Sequence, residues 1–342
     1  MKQPTLKDLA KHLLLSTSTV SRALTNDKNV RRETREQVQE AAQRLGYKPN
    51  RVARNLKSGR SYTIGVIVPE MVTPFASSVL EGIQDAIADD GYHVIIAQSG
   101  EDPKIERKNL MMMQQALVDG VIISACHQTY NLDLCREFQY NGIPLVFYDR
   151  ILSGLDAPRV MVNDYTKSML MMEHLIHLGR KKIVHLQAPD YIYNSVERSR
   201  AYRDAHTKFG LNFDPALLVR AGLTFEDGRN AAARLLIAEK SFDAIFAFTD
   251  TLAIGAMNYL REKGLRIPQD VAIASFSGTA LSTIVHPQLT TVEQPLHEMG
   301  VKAANLLLRL IDGVELIENR IVLDATLQYR GSTILPAEER IV

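Results

Sequence analysis

Thr5-Leu6-Lys7-Asp8-Leu9-Ala10-Lys11-His12-Leu13-Leu14-Leu15-Ser16-Thr17-Ser18-Thr19-Val20-Ser21-Arg22-Ala23-Leu24 begins the chain with two helical periods parted by a tight break. In the first, Leu6, Leu9, Ala10 and Leu13 recur on one side, and Thr5 is placed to cap it. In the second, Val20, Ala23 and Leu24 make the apolar side, Thr17, Ser18, Ser21 and Arg22 face away, and Ser16 is the cap. Two short helices across a turn, the second carrying small polar residues and an arginine outward, match a helix-turn-helix. A third helix fits Arg32 to Leu45, with Val38, Ala42 and Leu45 inward and Gly46 as its stop. Hydroxyls at the start of the second helix and a guanidinium further along the same side are groups that read base edges. An arginine gripping guanine with two bonds is worth about 1–3 kcal/mol of discrimination. The competing reading of three such helices is a protein-interaction domain.

Charge separates the two readings. The 342-residue chain carries 40 Lys and Arg against 39 Asp and Glu, a formal net charge of +1. Residues 1–60 hold six Lys and eight Arg against two Asp and three Glu, net +9, and the remainder carries −8. A basic head on an acidic body fits a polyanion-binding module joined to a part with another task. The next segment, Tyr47-Lys48-Pro49-Asn50-Arg51-Val52-Ala53-Arg54-Asn55-Leu56-Lys57-Ser58-Gly59-Arg60, suits a helix of two turns capped by Asn50. A helix that short needs a partner helix or a DNA surface, because nucleation is unfavourable below about 12 residues. Leu56, alone among polar neighbours, is either an ordinary exposed leucine or a minor-groove wedge.

These segments together resemble the lactose/galactose repressor (LacI/GalR) family of transcription regulators, with three motifs at the family's spacing over some sixty residues. The resemblance implies that Thr17, Ser18 and Arg22 read the major groove, with Thr5, Ser16, Ser21 and Asn29 as further head contacts. It also implies hinge contacts from Asn50, Arg51, Ala53, Arg54 and Leu56, the leucines of two subunits wedging into the central minor groove. Two positions depart from the family. Leu14 stands where a turn glycine is usual, and Arg31 replaces a capping serine, losing a cap worth about 1 kcal/mol but offering a phosphate contact.

From Tyr62 onward unalternated apolar runs alternate with helical periods: Ile64–Val68, His93–Ala97, Gly120–Ser124 and Pro144–Tyr148, then Lys182–Leu186, Ala244–Phe248 and Val271–Phe276. Helices are expected near Phe75 to Asp90 and Ile105 to Val118. Strands of this kind are buried on both faces, so the fold class is α/β, with two parallel-sheet lobes facing each other across a cleft. Here the chain resembles the family's effector domain, which is similar to periplasmic sugar-binding proteins. The implied organisation is a helix-turn-helix head over 1–47, a hinge helix and linker over 48–61, an effector-binding and dimerisation domain over 62–335, and a tail over 336–342. Lobe one would take about 62–161 and 293–323, and lobe two about 162–292 and 324–335.

The resemblance places effector contacts at Phe75, Ser124, Asp149, Asn194, Arg198, Leu223, Thr249 and Ser277. Arg198 is the leading candidate, since a guanidinium offers five fixed donors. Its alternative is an internal ion pair. Asp149 could equally be a turn residue, Phe75 and Leu223 core, and Asp250 a helix cap. Sugar-responsive members usually carry Asn where Thr249 stands and Asp where Ser277 stands. Their absence points to an acidic or phosphorylated sugar, or to another small metabolite.

No catalytic constellation, phosphate loop or nucleophile elbow is present, so an enzyme is not expected. Cys126 and Cys135 are too few for a disulfide framework, and His174 with His177 lacks a third ligand, so neither a metal nor a cofactor is expected. Met111-Met112-Met113 reads as core filler. No apolar run approaches the ~18 residues of a membrane span, and no signal peptide is evident, which places the protein in the cytoplasm. The expected partners are a pseudo-palindromic operator in double-stranded DNA, a small-molecule effector and a second copy of the chain. The other readings are a cytoplasmic solute sensor and a regulator with a degenerate cleft, controlled by a partner protein.

Overall fold

The structure is a computed structural model that describes residues 4–47 and 59–334. By contacts it divides into two units, Met1–Ser61 and Tyr62–Val342. The proposed hinge contacts Asn50, Arg51, Ala53, Arg54 and Leu56 lie outside the described residues, as does the tail.

In the first unit α1 (Leu6–His12), α2 (Thr17–Leu24) and α3 (Arg32–Leu45) close on Leu9, Ala10, Val20, Ala23, Val38, Ala41 and Ala42. Thr5 and Asp8 form a reciprocal capping box, Thr5 N donating to Asp8 Oδ2 at 2.8 Å and Asp8 N to Thr5 Oγ1 at 3.3 Å. Ser16 Oγ accepts from Thr19 N at 3.1 Å and starts α2. Leu14 holds the turn in the left-handed conformation, φ 54°, which a glycine adopts without cost. Arg31 makes no side-chain cap bond to α3, and Gly46 ends that helix at φ 66°. Leu45, expected inward, is 38 % exposed, and Ala41, one turn earlier, is buried instead.

The second unit holds two six-stranded sheets. Sheet one comprises β1 (Thr63–Val68), β2 (His93–Gln98), β3 (Gly120–Ile123), β4 (Leu145–Tyr148), β5 (Arg159–Val162) and β11 (Arg320–Leu323), in the order β11-β5-β4-β3-β1-β2, all parallel. Sheet two comprises β6 (Ile183–Gln187), β7 (Leu218–Arg220), β8 (Ala244–Ala247), β9 (Ala272–Ser277), β10 (Thr290–Glu293) and β12 (Thr326–Gln328). Its order is β12-β10-β9-β8-β6-β7, and only β12 runs antiparallel. The short strands β5, β7, β11 and β12 carry no Val/Ile run long enough to stand out in the sequence.

Each sheet is covered on both faces, which is why its strands are continuously apolar. In β1, Ile64, Val66 and Val68 face one cluster with α4 (Pro74–Ile87) and α12 (Leu296–Ile311), whereas Ile67 faces the cluster of α5 (Pro103–Gln115) and α6 (Leu132–Tyr140). Sheet two lies between α7 (Asp164–His177) with α8 (Tyr193–Lys208), and α9 (Phe225–Ile237) with α10 (Asp250–Glu262). A single turn, α11 (Leu281–Ile284), follows β9. Met113 alone of the three methionines enters the core, because successive helical positions point about 100° apart; Met111 and Met112 are 46 % and 41 % exposed. Helices α4 and α12 touch backbone to backbone at Gly82 and Gly300, where a Cβ would overlap the carbonyl oxygens of His297 and Val79. The chain passes between sheets after β5, after β10 and after β11. Among the described residues no helix is long and apolar enough to cross a membrane.

Candidate functional site

On the first unit Thr17, Ser18 and Arg22 are exposed along one side of α2, and Ser21 is half-buried. Thr5 and Ser16 serve as helix caps, and the Ser16 hydroxyl also meets Ser18 Oγ and Thr19 Oγ1, both at 2.8 Å. Asn29 gives its N and Nδ2 hydrogens to Asp27 Oδ1 at 2.9 and 3.0 Å, folding the segment that leads to α3. Side chains already engaged in caps and turns present their neighbours rather than reach out themselves. Among the described residues Thr17 and Arg22 face solvent without such a bond, and Ser18 stands beside them on the same exposed side.

On the second unit a cavity of about 210 Å³ opens between the lobes, beyond the strand ends, as expected for sheets wound on both faces. All eight residues expected from the sequence line it: Phe75, Ser124, Asp149, Asn194, Arg198, Leu223, Thr249 and Ser277. Phe75 and Leu223 also pack against the flanking cores, as their alternative reading expected. Asp149 and Ser277 end β4 and β9 with φ of 55° and 134°, left-handed backbone held at the cleft by its surroundings.

Arg198 is 2 % exposed and is engaged from three sides. Its Nε donates to Asp164 Oδ1 at 2.8 Å, Nη2 approaches the same oxygen at 2.7 Å, and Nη1 donates to the Phe248 carbonyl. Its guanidinium carbon lies 3.6 Å and 4.4 Å from the ring centroids of Phe276 and Phe248. The internal ion pair weighed in the sequence is therefore present. Burial lifts the Asp164 carboxyl to about 6, with Arg198 opposing that rise. Thr249, not Asp250, caps α10, its Oγ1 accepting from Leu252 N at 3.4 Å. Asp250 instead gathers four donors: Ser275 Oγ (2.6 Å), Thr291 Oγ1 (2.8 Å), Thr279 N (2.8 Å) and Thr279 Oγ1 (3.0 Å). It ties β9 and β10 to the cleft wall.

Several lining residues were not singled out in the sequence: Glu70, Glu101, Tyr148, Arg150, Phe225, Phe248, Thr279 and Gln294. Tyr148, Arg150 and Phe248 adjoin residues that were, so widening each strand end by one position would have found them. Glu101 and Arg150 pair through Nη1, at 3.0 and 2.8 Å to the two carboxylate oxygens. Burial works against the Arg150 charge, but Glu101 and Asp149 outweigh it and hold the guanidinium above its ordinary value.

The lobes meet along one side of the cleft. Asn194 Nδ2 donates to Asp149 Oδ1 at 2.9 Å, Gln128 N donates to the Tyr191 carbonyl at 2.9 Å, and the His127 ring stacks on Tyr191 with centroids 5.0 Å apart. Three buried atoms of the lining have no hydrogen-bond partner among the described residues: Ser124 Oγ, Asn194 Oδ1 and Gln294 Oε1. A buried polar atom without a partner costs about 1–3 kcal/mol. These atoms belong to residues that line the cavity, and the Phe75, Tyr148, Phe225 and Phe248 rings give its wall apolar faces suited to an apolar face of a ligand. Elsewhere His174 bonds Thr333 Oγ1 at 3.0 Å and packs on Tyr329, and no metal-binding cluster occurs among the described residues.

Residues 61–328 match the model of periplasmic binding proteins and the sugar-binding domain of the LacI family, and residues 5–50 that of bacterial regulatory proteins of the lacI family. The chain is 32% identical over 329 residues to the transcriptional repressor CytR of Escherichia coli (strain K12), covering 96% of each. It is 31% identical over 330 residues to catabolite control protein A of Priestia megaterium, covering 96% of this chain and 99% of the relative. Among solved structures, the regulator CelR in complex with cellobiose superposes with a TM-score of 0.73 at 28% identity, over 96% of this chain and 100% of that one. The lac repressor dimer bound to operator and the anti-inducer ONPF superposes at 0.85 with 24% identity, over 97% and 100%.

Proposed function

The chain belongs to the lacI family of bacterial regulatory proteins, and on that premise we propose that it is a sequence-specific transcriptional repressor controlled by a small metabolite bound between its lobes. The family is one of transcription regulators, not enzymes. The observation that carries the DNA-binding half is the exposed Thr17, Ser18 and Arg22 side of α2, in a first sixty residues of net charge +9. Thr17, Ser18 and Arg22 read bases; Thr5, Ser16, Ser21 and Asn29 set the register on phosphates; Asn50, Arg51, Ala53, Arg54 and Leu56 engage the minor groove. The head is assigned to 1–47, the hinge to 48–61 and the effector domain to 62–335.

A sugar or sugar derivative is the effector class. The sugar-binding family model over the body and the cellobiose held by CelR support it. The cavity of about 210 Å³ between the lobes, with aromatic and polar walls, favours an occupied cleft over a degenerate one governed by a partner protein. Two copies bind two half-sites of a pseudo-palindrome, as two-fold symmetry requires. Ile96, 37 % exposed on the edge strand β2, is suited to that contact. The protein acts in the cytoplasm, where its operator lies. Effector binding turns one lobe on the other and resets the spacing of the hinges, a population shift between two states.

Sequencing of DNA crosslinked to the protein in its own cells tests this reading. A recurrent two-fold symmetric motif beside genes of one metabolic route is expected, with a metabolite of that route altering binding in gel-shift titrations. Enrichment without a common motif would defeat it.

A further inference from the structure

The charges around the cleft are unevenly matched. Its lining holds four carboxylates, Glu70, Glu101, Asp149 and Asp250, against two cations, Arg150 and Arg198. Each cation already faces a carboxylate. Arg198 is committed to Asp164 behind it, to a backbone carbonyl and to two aromatic faces. Arg150 has Glu101 at 2.8 Å and Asp149 at 3.8 Å. Asp250, whose carboxyl burial pushes above its ordinary value, already takes four donors from the wall and offers an anion nothing.

The cleft lining thus carries two more carboxylates than cations. We infer that Glu101 is a specificity-determining residue: by cancelling Arg150 it makes the cleft select uncharged ligands and refuse phosphorylated or carboxylated ones. This rests on the reading that the cleft holds the effector, and it removes the acidic and phosphorylated sugars that the residues at 249 and 277 had suggested. An anion entering the cavity meets surplus negative charge in a site partly shielded from water, where like-charge repulsion is poorly screened. Glu101 itself is 21 % exposed at its side chain, so replacing it does not open a sealed core.

The test compares the full-length wild type with Glu101→Gln and, as a second variant, Glu101→Ala, each checked for an unchanged melting transition in chloride. Inorganic phosphate is titrated by calorimetry at constant ionic strength, and the matched pairs ribose and ribose 5-phosphate, and glucose and glucose 6-phosphate, are run beside it. Wild type is expected to show no saturable phosphate binding, and either folded variant should bind phosphate saturably, at least about tenfold more tightly than the weakest binding the titration resolves. Within any pair that binds wild type, the uncharged member should be tighter. Saturable binding of phosphate to wild type, or folded variants that gain no affinity for it, would overturn the inference. Gel shifts of the same samples keep the two readings apart: loss of specific DNA recognition in wild type would sink the regulator assignment whatever the phosphate titrations give.

Discussion

Asp164 Oδ1 receives both the Nε and the Nη2 of Arg198, at 2.8 and 2.7 Å, with each side chain only 2 % exposed. The guanidinium thus holds the first residue of α7 to α8, and through the Phe248 carbonyl to the end of β8. Removing one member of such a pair strands the other, at a cost of about 3–5 kcal/mol. Arg198→Met should therefore lower the stability of the second unit by that order, measured by urea denaturation of the full chain. Adding Asp164→Asn should recover part of the loss, because the stranded charge is gone. An Arg198→Met protein as stable as wild type would show that the ion pair contributes nothing to the fold.

His185 sets a pH dependence. It lies fully buried on β6 with Nδ1 at 2.9 Å from the Phe246 carbonyl, and burial lowers its pKa from 6.5 to about 4. The folded state resists a proton that the unfolded chain accepts. The stability His185 supports is complete above pH 6.5 and is lost as pH falls toward 4, on the order of 3 kcal/mol. Asp164, raised from 3.8 to about 6, works the other way: protonation favours its folded form, and its contribution declines as pH rises through that window. Comparing wild type with His185→Gln isolates the histidine. Denaturation midpoints should fall less steeply in the variant between pH 6.5 and 4.5. Parallel curves would exclude the histidine as the source.

Two positions of the head are locally suboptimal. A leucine in left-handed backbone costs about 1–2 kcal/mol, of which a glycine gives back roughly 0.5–1 in unfolded-state entropy. Leu14 is also 93 % exposed, so no packing is lost with its side chain. Leu14→Gly should slow hydrogen exchange of the α1 and α2 amides by a few-fold. Arg31→Ser supplies the missing cap of α3, worth about 1 kcal/mol. If Arg31 also meets a phosphate, the salt dependence of DNA binding should become shallower by about one unit of slope.

Much of this architecture was legible because period and composition agree. The Val/Ile runs of β1, β3 and β4 needed no tertiary knowledge, whereas the eight expected cleft residues came from the family resemblance: Ser124, Asp149, Thr249 and Ser277 lie at or just past strand ends, but Phe75, Asn194 and Arg198 lie on helices. What stayed hidden depends on partners far apart in sequence. Nothing local tells that Arg198 is met by Asp164, 34 positions earlier, or that Asp250 serves β9 and β10 rather than its own helix. Arg150 was passed over because its meaning comes from Glu101, 49 positions away. Short edge strands escaped for a similar reason, since pairing rather than pattern makes them strands.

Arg22 gives the most direct test of base reading. It is exposed in the last turn of α2, on the side that carries Thr17 and Ser18 at the helix start. A phosphate contact would weaken binding to every sequence alike, whereas a bidentate bond to guanine favours one base by about 1–3 kcal/mol. Arg22→Ala should reduce affinity for the mapped operator by roughly ten- to a hundredfold while changing affinity for random duplex much less. The loss should concentrate at one base pair of each half-site, so a library randomised there would no longer be discriminated. Competition gel shifts at fixed salt compare the two quantities directly. Equal losses on operator and random DNA would make Arg22 a phosphate ligand and return base reading to Thr17 and Ser18.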